Sequence, residues 1–367
     1  MEYMQLIKWK FLSVIAIFCL TFFCAQGYGK KDVPSRSQRQ LTSNKNNAPA
    51  ESARPLPSAS DPDQLYGVTI ERVDNLPAIL ASLKEVNRVR WPITRIVFQP
   101  EQKPAYYLDA IKAIRQESSV MGLIADSSAM HRYKTVKEYE SRVSEYLTQL
   151  GDYVNVWEIG NEVNGEWVGW KDDEWQAQST DRMAKKRQLV SDQIRAAFNI
   201  AKARGVKTAL TLYYNDDGVE GHQCWPDKSY GPEYAMFTWV NKYIADTNMK
   251  EKLDYVFVSF YEDDCPDLKK DPQTWVNLFK RLSVIFPNAK VGFGEFGPQC
   301  PMCRARDCRR CIADQKEFIP RYYKTYNSLI KPAAPKYVGG FFYWYFWQDM
   351  VPKERPALSE LVNAIKD

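Results

Sequence analysis

The chain has 367 residues, of which 45% are hydrophobic and 14% aromatic, enough apolar side chain to bury one large core or two smaller ones. Its 50 basic and 45 acidic residues leave a formal charge of +5, and no basic block is flanked by aromatics, so composition argues against a nucleic-acid partner. At the amino end Lys8 and Lys10 precede the apolar run Phe11–Cys24, which is followed by Ala25-Gln26-Gly27, a small-x-small cleavage pattern. Residues 1–27 therefore read as a secretion signal, which implies an extracellular or periplasmic location. The run falls short of the roughly 20 apolar residues that a membrane span needs. Cys24 could carry the lipid of a bacterial lipoprotein, a minority reading because the bulky Phe23 suits that pattern poorly. Residues 28–62 hold almost no large apolar side chain and read as a disordered linker to a domain at 63–367.

From Tyr66 onward short apolar runs alternate with longer amphipathic segments. The expected strands are 66–71, 93–99, 120–126, 153–159, 207–213, 254–260, 289–295 and 337–345. Helical spacing of apolar residues marks 75–88, 137–150, 181–204 and 313–330, with a last helix at 357–366. Eight such units in about 300 residues are the pattern of a single (β/α)8 TIM barrel, an α/β fold. An open doubly wound sheet would alternate in the same way, but no G-x-G-x-x-G follows the first strand to favour a dinucleotide site.

Two strands end in the same device. Val156-Trp157-Glu158-Ile159-Gly160-Asn161-Glu162 delivers an Asn-Glu pair into a loop, and Val291-Gly292-Phe293-Gly294-Glu295-Phe296-Gly297 delivers one glutamate between glycines. In a barrel, catalytic groups sit at the carboxyl ends of strands, and these are the fourth and the seventh. Two such carboxyl groups are what glycosidic cleavage needs, one to protonate the leaving oxygen and one to attack or to activate water. A glutamate at a strand end can also simply cap a helix or pair with lysine. Glu158, inside the strand, and Glu166, in the loop, rank below Glu162, and Asp126 at the end of the third strand is weaker still.

Across the whole barrel these residues resemble the retaining (β/α)8 glycoside hydrolases that carry an acid/base glutamate after strand four and a nucleophile glutamate after strand seven. Asn161 matches the asparagine that precedes the acid/base there, and Glu295-Phe296-Gly297 matches the usual end of the seventh strand. Ile159 to Gly165 is similar to the endo-galactanase wording, whereas the seventh-strand motif is similar to cellulases and mannanases, so the resemblance is to the clan. It implies that Arg95 supports the nucleophile, that Tyr261 hydrogen-bonds it, and that Trp344 floors the sugar subsite beside the scissile bond. The chain departs from many members in holding only two histidines, His131 and His222.

In a retaining mechanism Glu295 attacks the anomeric carbon while Glu162 protonates the leaving oxygen and then deprotonates water, with the carboxyl groups roughly 5–5.5 Å apart. Glu295 is then expected ionised, helped by Arg95 and a tyrosine, and Glu162 protonated, with Asn161 donating to the sugar 2-hydroxyl. Arg95 and Tyr261 could equally be ordinary pairing residues at the barrel mouth. Sugar rings stack on aromatics, so Trp167, Trp170 and Tyr213, with Tyr214, Trp225, Trp344 and Trp347 in neighbouring loops, favour a polysaccharide over a small glycoside. Trp175 and Trp347 are expected to pack under loops instead.

Six cysteines follow the signal: Cys224, Cys265, Cys300, Cys303, Cys308 and Cys311. The last four form C-x2-C-x4-C-x2-C directly after Glu295. In a reducing compartment they would suggest zinc or an iron–sulfur cluster, but behind a secretion signal an even number reads as three disulfides, Cys224–Cys265 among them. No metal or other cofactor is therefore expected. Arg304, Arg306, Arg309 and Arg310 in this loop could pair with an acidic sugar or line a solvated face, and the solvated face is the simpler reading. The expected protein is a monomeric secreted retaining endo-glycosidase. A catalytically silent glycan-binding barrel, a transglycosylase on the same site and a metal or redox protein are the competing readings.

Overall fold

A computed structural model of the chain describes residues 64–215, 232–244, 247–262, 271–300, 306 and 308–366. The signal and linker readings fall outside them. Eight strands run Leu65–Ile70 (β1), Ile93–Val97 (β2), Ser119–Leu123 (β3), Val156–Gly160 (β4), Thr208–Tyr213 (β5), Tyr255–Phe260 (β6), Lys290–Phe296 (β7) and Gly339–Tyr343 (β8). They close in sequence order into one barrel, every neighbouring pair parallel. Between and after them run helices Leu76–Asn87 (α1), Pro104–Ile114 (α2), Val136–Leu150 (α3), Thr180–Ala203 (α4), Met236–Tyr243 (α5), Pro272–Ile285 (α6), Arg309–Pro320 (α7) and Pro356–Ala364 (α8). The (β/α)8 fold read from periodicity is the fold of the domain. Among the described residues no helix is long and apolar enough to cross a membrane.

Local chemistry accounts for the starts. Pro104, Pro272 and Pro356 stand at first helical positions, where a missing N–H costs nothing. Helix α3 opens on a capping box, Thr135 Oγ1 accepting from the Glu138 amide and Glu138 reaching back to the Thr135 amide, both at 3.2 Å. The third strand stops short of Asp126 because that carboxylate turns to cap the Ser128 amide at 3.0 Å, starting the 3-10 turn Ser127–Arg132. On β8, Gly340 is held at φ 93°, and a side chain there would collide with the Phe293 carbonyl, so β8 can lie against β7 only with glycine at this point.

The apolar interior falls into distinct layers. Outward-facing strand residues such as Ile96, Trp157, Leu210, Val258 and Phe293 pack under the helices in the main core. Inside the barrel, Leu65, Ile93, Met121, Val156, Ala209, Tyr255, Phe257, Val338 and Phe342 form a separate plug toward the amino ends of the strands. Side chains alternate faces along a strand, so two residues on from Ile93, Val156, Ala209 and Phe257 come Arg95, Glu158, Thr211 and Ser259, also inside the barrel. All four are essentially fully buried. A polar layer thus lies on an apolar floor, directly beneath the strand ends.

Candidate active site

The polar layer is organised around one guanidinium. Arg95 donates to both oxygens of Glu158, Nε to Oε2 at 2.6 Å and Nη2 to Oε1 at 3.1 Å, and its Nη1 reaches Glu295 Oε2 at 3.1 Å. Burial alone would lower the Arg95 pKa; Glu158 and then Glu295 more than reverse that, and the group stays charged. Thr211 Oγ1 donates to Glu158 Oε1 at 2.6 Å. Ser259 Oγ accepts the Glu295 amide at 3.1 Å, so the nucleophile candidate is fastened through backbone as well as side chain.

On its other oxygen, Glu295 Oε1 accepts from the Tyr261 hydroxyl at 2.6 Å. The Tyr261 phenol is pushed far up, by burial first, then by Glu295, Tyr345 and Glu162, which places both candidate carboxylates within its electrostatic reach. It therefore remains a donor at any working pH. The Trp344 ring lies under the Arg95 guanidinium, 5.8 Å from its centroid, and the Trp344 amide donates to Phe296 O at 2.9 Å, fixing this aromatic beside the nucleophile strand.

Glu162 sits past the end of β4 with φ 48°, a left-handed backbone that costs a non-glycine residue about 1–2 kcal/mol. The turn is held by Gly165 N–H to Glu162 O at 2.8 Å and by Val163 N–H to Thr211 O at 3.3 Å. Its Oε2 accepts from Ser127 Oγ at 3.0 Å, and Trp167 Nε1 donates to the same serine oxygen at 3.2 Å. Asn161 Nδ2 donates to Asp126 Oδ2 at 3.2 Å, while its Oδ1 is buried with no hydrogen-bond partner among the described residues. Tyr213 meets Trp167 edge-on at 5.0 Å. Asn164 braces the pair, accepting from the Tyr213 amide at 2.7 Å and donating to the carbonyls of Tyr213 and Tyr234 at 2.9 and 3.0 Å.

At the carboxyl ends of the strands Arg95, Glu295, Tyr261 and Trp344 form one contacting group, Glu162, Trp167 and Tyr213 form a second through Ser127, and Asn161 is tied to Asp126. Trp170 is placed differently. It is 7% exposed in a side cluster with Trp175, Met183 and Tyr234, and Lys186 and Arg182 lie over its ring at 4.7 and 5.5 Å. Tyr214 packs on Trp275 and Phe260 in the main core, and Trp225 lies outside the described residues. Three further residues that brace these carried little sequence signal: Ser127, Asn164 and above all Glu158. Strand alternation does put Glu158 on the same face as Val156, inside the barrel, and that was the available clue.

The ionisation of Glu295 differs from the sequence expectation. Burial raises its pKa from 4.5 to about 7, with Asp126 and Glu158 pushing the same way against Arg95 and Tyr261. The physical reason is burial, which the nearby cation offsets only in part because it is shared: Arg95 makes two bonds to Glu158, at 2.6 and 3.1 Å, and one to Glu295 at 3.1 Å.

Cys300 is disulfide-bonded to Cys311, and Cys308 is also in a disulfide, so these sulfurs are not thiolates available to a metal. Cys224, Cys265 and Cys303 lie outside the described residues. The arginine loop resolves in neither expected way at Arg306, which is a clamp. It pairs with both oxygens of Asp349 at 2.7 and 2.6 Å, donates to the carbonyls of Gln299 and Pro298, and lies 3.5 Å over the Tyr345 ring. Arg309 and Arg310 are exposed at the start of α7.

No protein-family profile matches the chain, and no curated protein matches it. Solved structures do. A GH5-4 broad specificity endoglucanase from an uncultured bacterium superposes with a TM-score of 0.52 at 12% identity, over 82% of this chain and 86% of that one. A Bacteroides ovatus GH5 xyloglucanase bound to a XXXG heptasaccharide gives 0.52 at 11%, over 83% and 75%. The AHE enzyme from Alicyclobacillus herbarius gives 0.51 at 11%, over 77% and 88%. At these identities the likeness is one of fold: this chain has the barrel that these proteins have.

Proposed function

We propose that this protein is a secreted retaining glycoside hydrolase acting within a polysaccharide, with Glu295 as nucleophile and Glu162 as acid/base. The observation that carries the reading is the grip on Glu295, one oxygen on Arg95 at 3.1 Å and the other on Tyr261 at 2.6 Å, at the mouth that also presents Glu162. Both donors stabilise the carboxylate that must attack, and together they fix both of its oxygens. Ser127 donates to Glu162, orienting the acid toward a leaving oxygen. Asn161, whose Nδ2 gives one proton to Asp126 and has a second to give, is the residue proposed to donate to the sugar 2-hydroxyl. Trp344 and Trp167 supply apolar ring faces for the sugar chain, Tyr213, itself buried, backs Trp167 edge-on at 5.0 Å, and Trp170 is retained as a proposed outer contact of the same loop. Neighbours of the same fold that are titled endoglucanase and xyloglucanase support a polymeric substrate.

The test is sugar release by the full chain from a panel of plant, fungal and bacterial polysaccharides, with Glu295→Gln alongside and proton NMR of the first anomer formed. Products of retained configuration from wild type, and none from the variant, are the expected result. An inverted first product would remove the nucleophile role. No product from a folded wild-type protein on any polymer, with glycan binding retained, would leave a binding barrel.

A further inference from the structure

Beyond the grip itself, the structure contains a device that holds one of its fingers. Helix α7 ends in Pro320, which has no N–H and whose ring crowds the carbonyl one turn back. The turn that follows, Arg321–Tyr326, is a π-helix, before α-helical geometry resumes at Asn327–Ala333. From its first two residues two side chains converge on Glu262. Arg321 donates Nη1 to Glu262 Oε1 at 2.6 Å and Nη2 to Oε2 at 2.9 Å, and the Tyr322 hydroxyl donates to Oε1 at 2.9 Å. The carboxylate is largely buried, its side chain 10% exposed.

Glu262 is the residue after Tyr261, and Tyr261 lies just past the last residue of β6, where the sheet's hydrogen bonds have ended. The backbone that carries the nucleophile's phenol donor is therefore held from one side by the sheet and from the other by this three-bond lock. Resting on the proposed catalytic role of Glu295, we propose that Glu262, locked by Arg321 and Tyr322, is a positioning residue that sets the Tyr261 hydroxyl on Glu295. Nothing in the reaction requires Glu262 to touch substrate. Its bidentate partner fixes direction as well as distance, which a lone lysine would not do.

The consequence is readable at Glu295, which is faced by Arg95 from β2, Asp126 from the turn after β3, Glu158 from β4, Tyr261 from just past β6 and Tyr345 from beyond β8, while Glu162 acts on Tyr261. Of these, Arg95 and Tyr261 favour its charged form. Loosening Tyr261 leaves the anions in place, so the proton on Glu295 is held more tightly. Glu262→Gln is expected to raise the Glu295 midpoint by about one unit, which lowers kcat/KM about tenfold near pH 6 and hardly at all near pH 9. Because the effect passes through the phenol, it is expected to vanish in a Tyr261→Phe background, a non-additivity that a general loosening of the barrel would not show.

The experiment is a double-mutant cycle of Glu262→Gln and Tyr261→Phe. Its two readouts are kcat/KM against pH and the carbon-13 carboxyl titration of Glu295, assigned by difference from Glu295→Gln and requiring no substrate. Arg321→Lys, which keeps charge but loses the fork, is the second variant should Glu262→Gln not fold, and it is expected to move the midpoint in the same direction by less. A midpoint unchanged in both variants, or raised equally with phenylalanine at 261, overturns the proposal. If wild type cleaves no polysaccharide but the titration moves as expected, the positioning stands and the glycosidase reading falls. If wild type is active and the cycle is additive, the glycosidase reading stands and the positioning falls.

Discussion

A buried carboxylate whose pKa is raised is a cost to the fold, and Glu295 offers a direct measure of it. Burial, with Asp126 and Glu158 pushing the same way against Arg95 and Tyr261, lifts its pKa to about 7 against 4.5 for an ordinary glutamate, and Arg95, which would hold it down, is shared with Glu158. The native state then binds more protons than the unfolded chain between these two values, so stability falls as pH rises through that window, and the full cost is present above it. The difference of 2.5 units, 7 minus 4.5, is worth about 3 kcal/mol at about 1.4 kcal/mol per unit. Glu295→Gln keeps the size and the acceptor for Arg95 but removes the charge. It is expected to raise stability by up to about 3 kcal/mol at pH near 8.5 and to change it little near pH 5. For the unit Asp63–Asp367, at about 2.1 cal/mol/K per residue, that corresponds to a rise in Tm of roughly 5 °C at the higher pH. Urea unfolding of both proteins at the two pH values supplies the free energies, and a melting scan supplies the shift. An equal effect at both pH values, or a variant less stable at the higher one, would refute the cost assigned to the buried charge.

The same midpoint predicts that kcat/KM falls below about pH 7, tenfold per unit, as the nucleophile is protonated; a limb near 4.5 would show that Glu295 is better solvated than the structure implies. Glu158→Ala leaves Arg95 buried with half its partners and opens a void, so a loss of about 3–5 kcal/mol in urea unfolding is expected, and a loss under about 1 would show that water replaces the carboxylate. Trp344→Ala and Trp170→Ala separate sugar contact from loop packing. The former is expected to lower kcat/KM on a polymer by at least tenfold with little change in Tm, and the latter to lower Tm because its ring sits in the side cluster. Reversal of that pattern would move the subsite to Trp170.

Much of this molecule is local and therefore open to reading along the chain. Strand runs mark all eight strands and helical spacing marks five of the helices, because each element must bury a face of its own, whereas Pro104–Ile114, Met236–Tyr243 and Pro272–Ile285 are not marked. The two glutamates are visible because the strand-ending glycines beside them are a short-range signal, and Arg95 and Tyr261 follow from a resemblance that extends over the barrel. Chemistry at the site is not local. Arg95 and Glu295 are 200 residues apart in the chain, and only barrel closure decides that Arg95 meets Glu158 first and at shorter range. That contest sets the ionisation of the nucleophile, and no window of sequence contains it. The same holds for Arg306, which composition places in a charged loop and packing turns into a clamp on Asp349, and for Trp170, whose burial depends on what the loop folds against. The sequence by itself determined the fold, the order of the strands and the chemical types standing near their ends. Tertiary structure alone decided which charges are paired, which are left in excess and which rings remain open, because burial and Coulomb energy depend on distances in space that the order of residues does not contain.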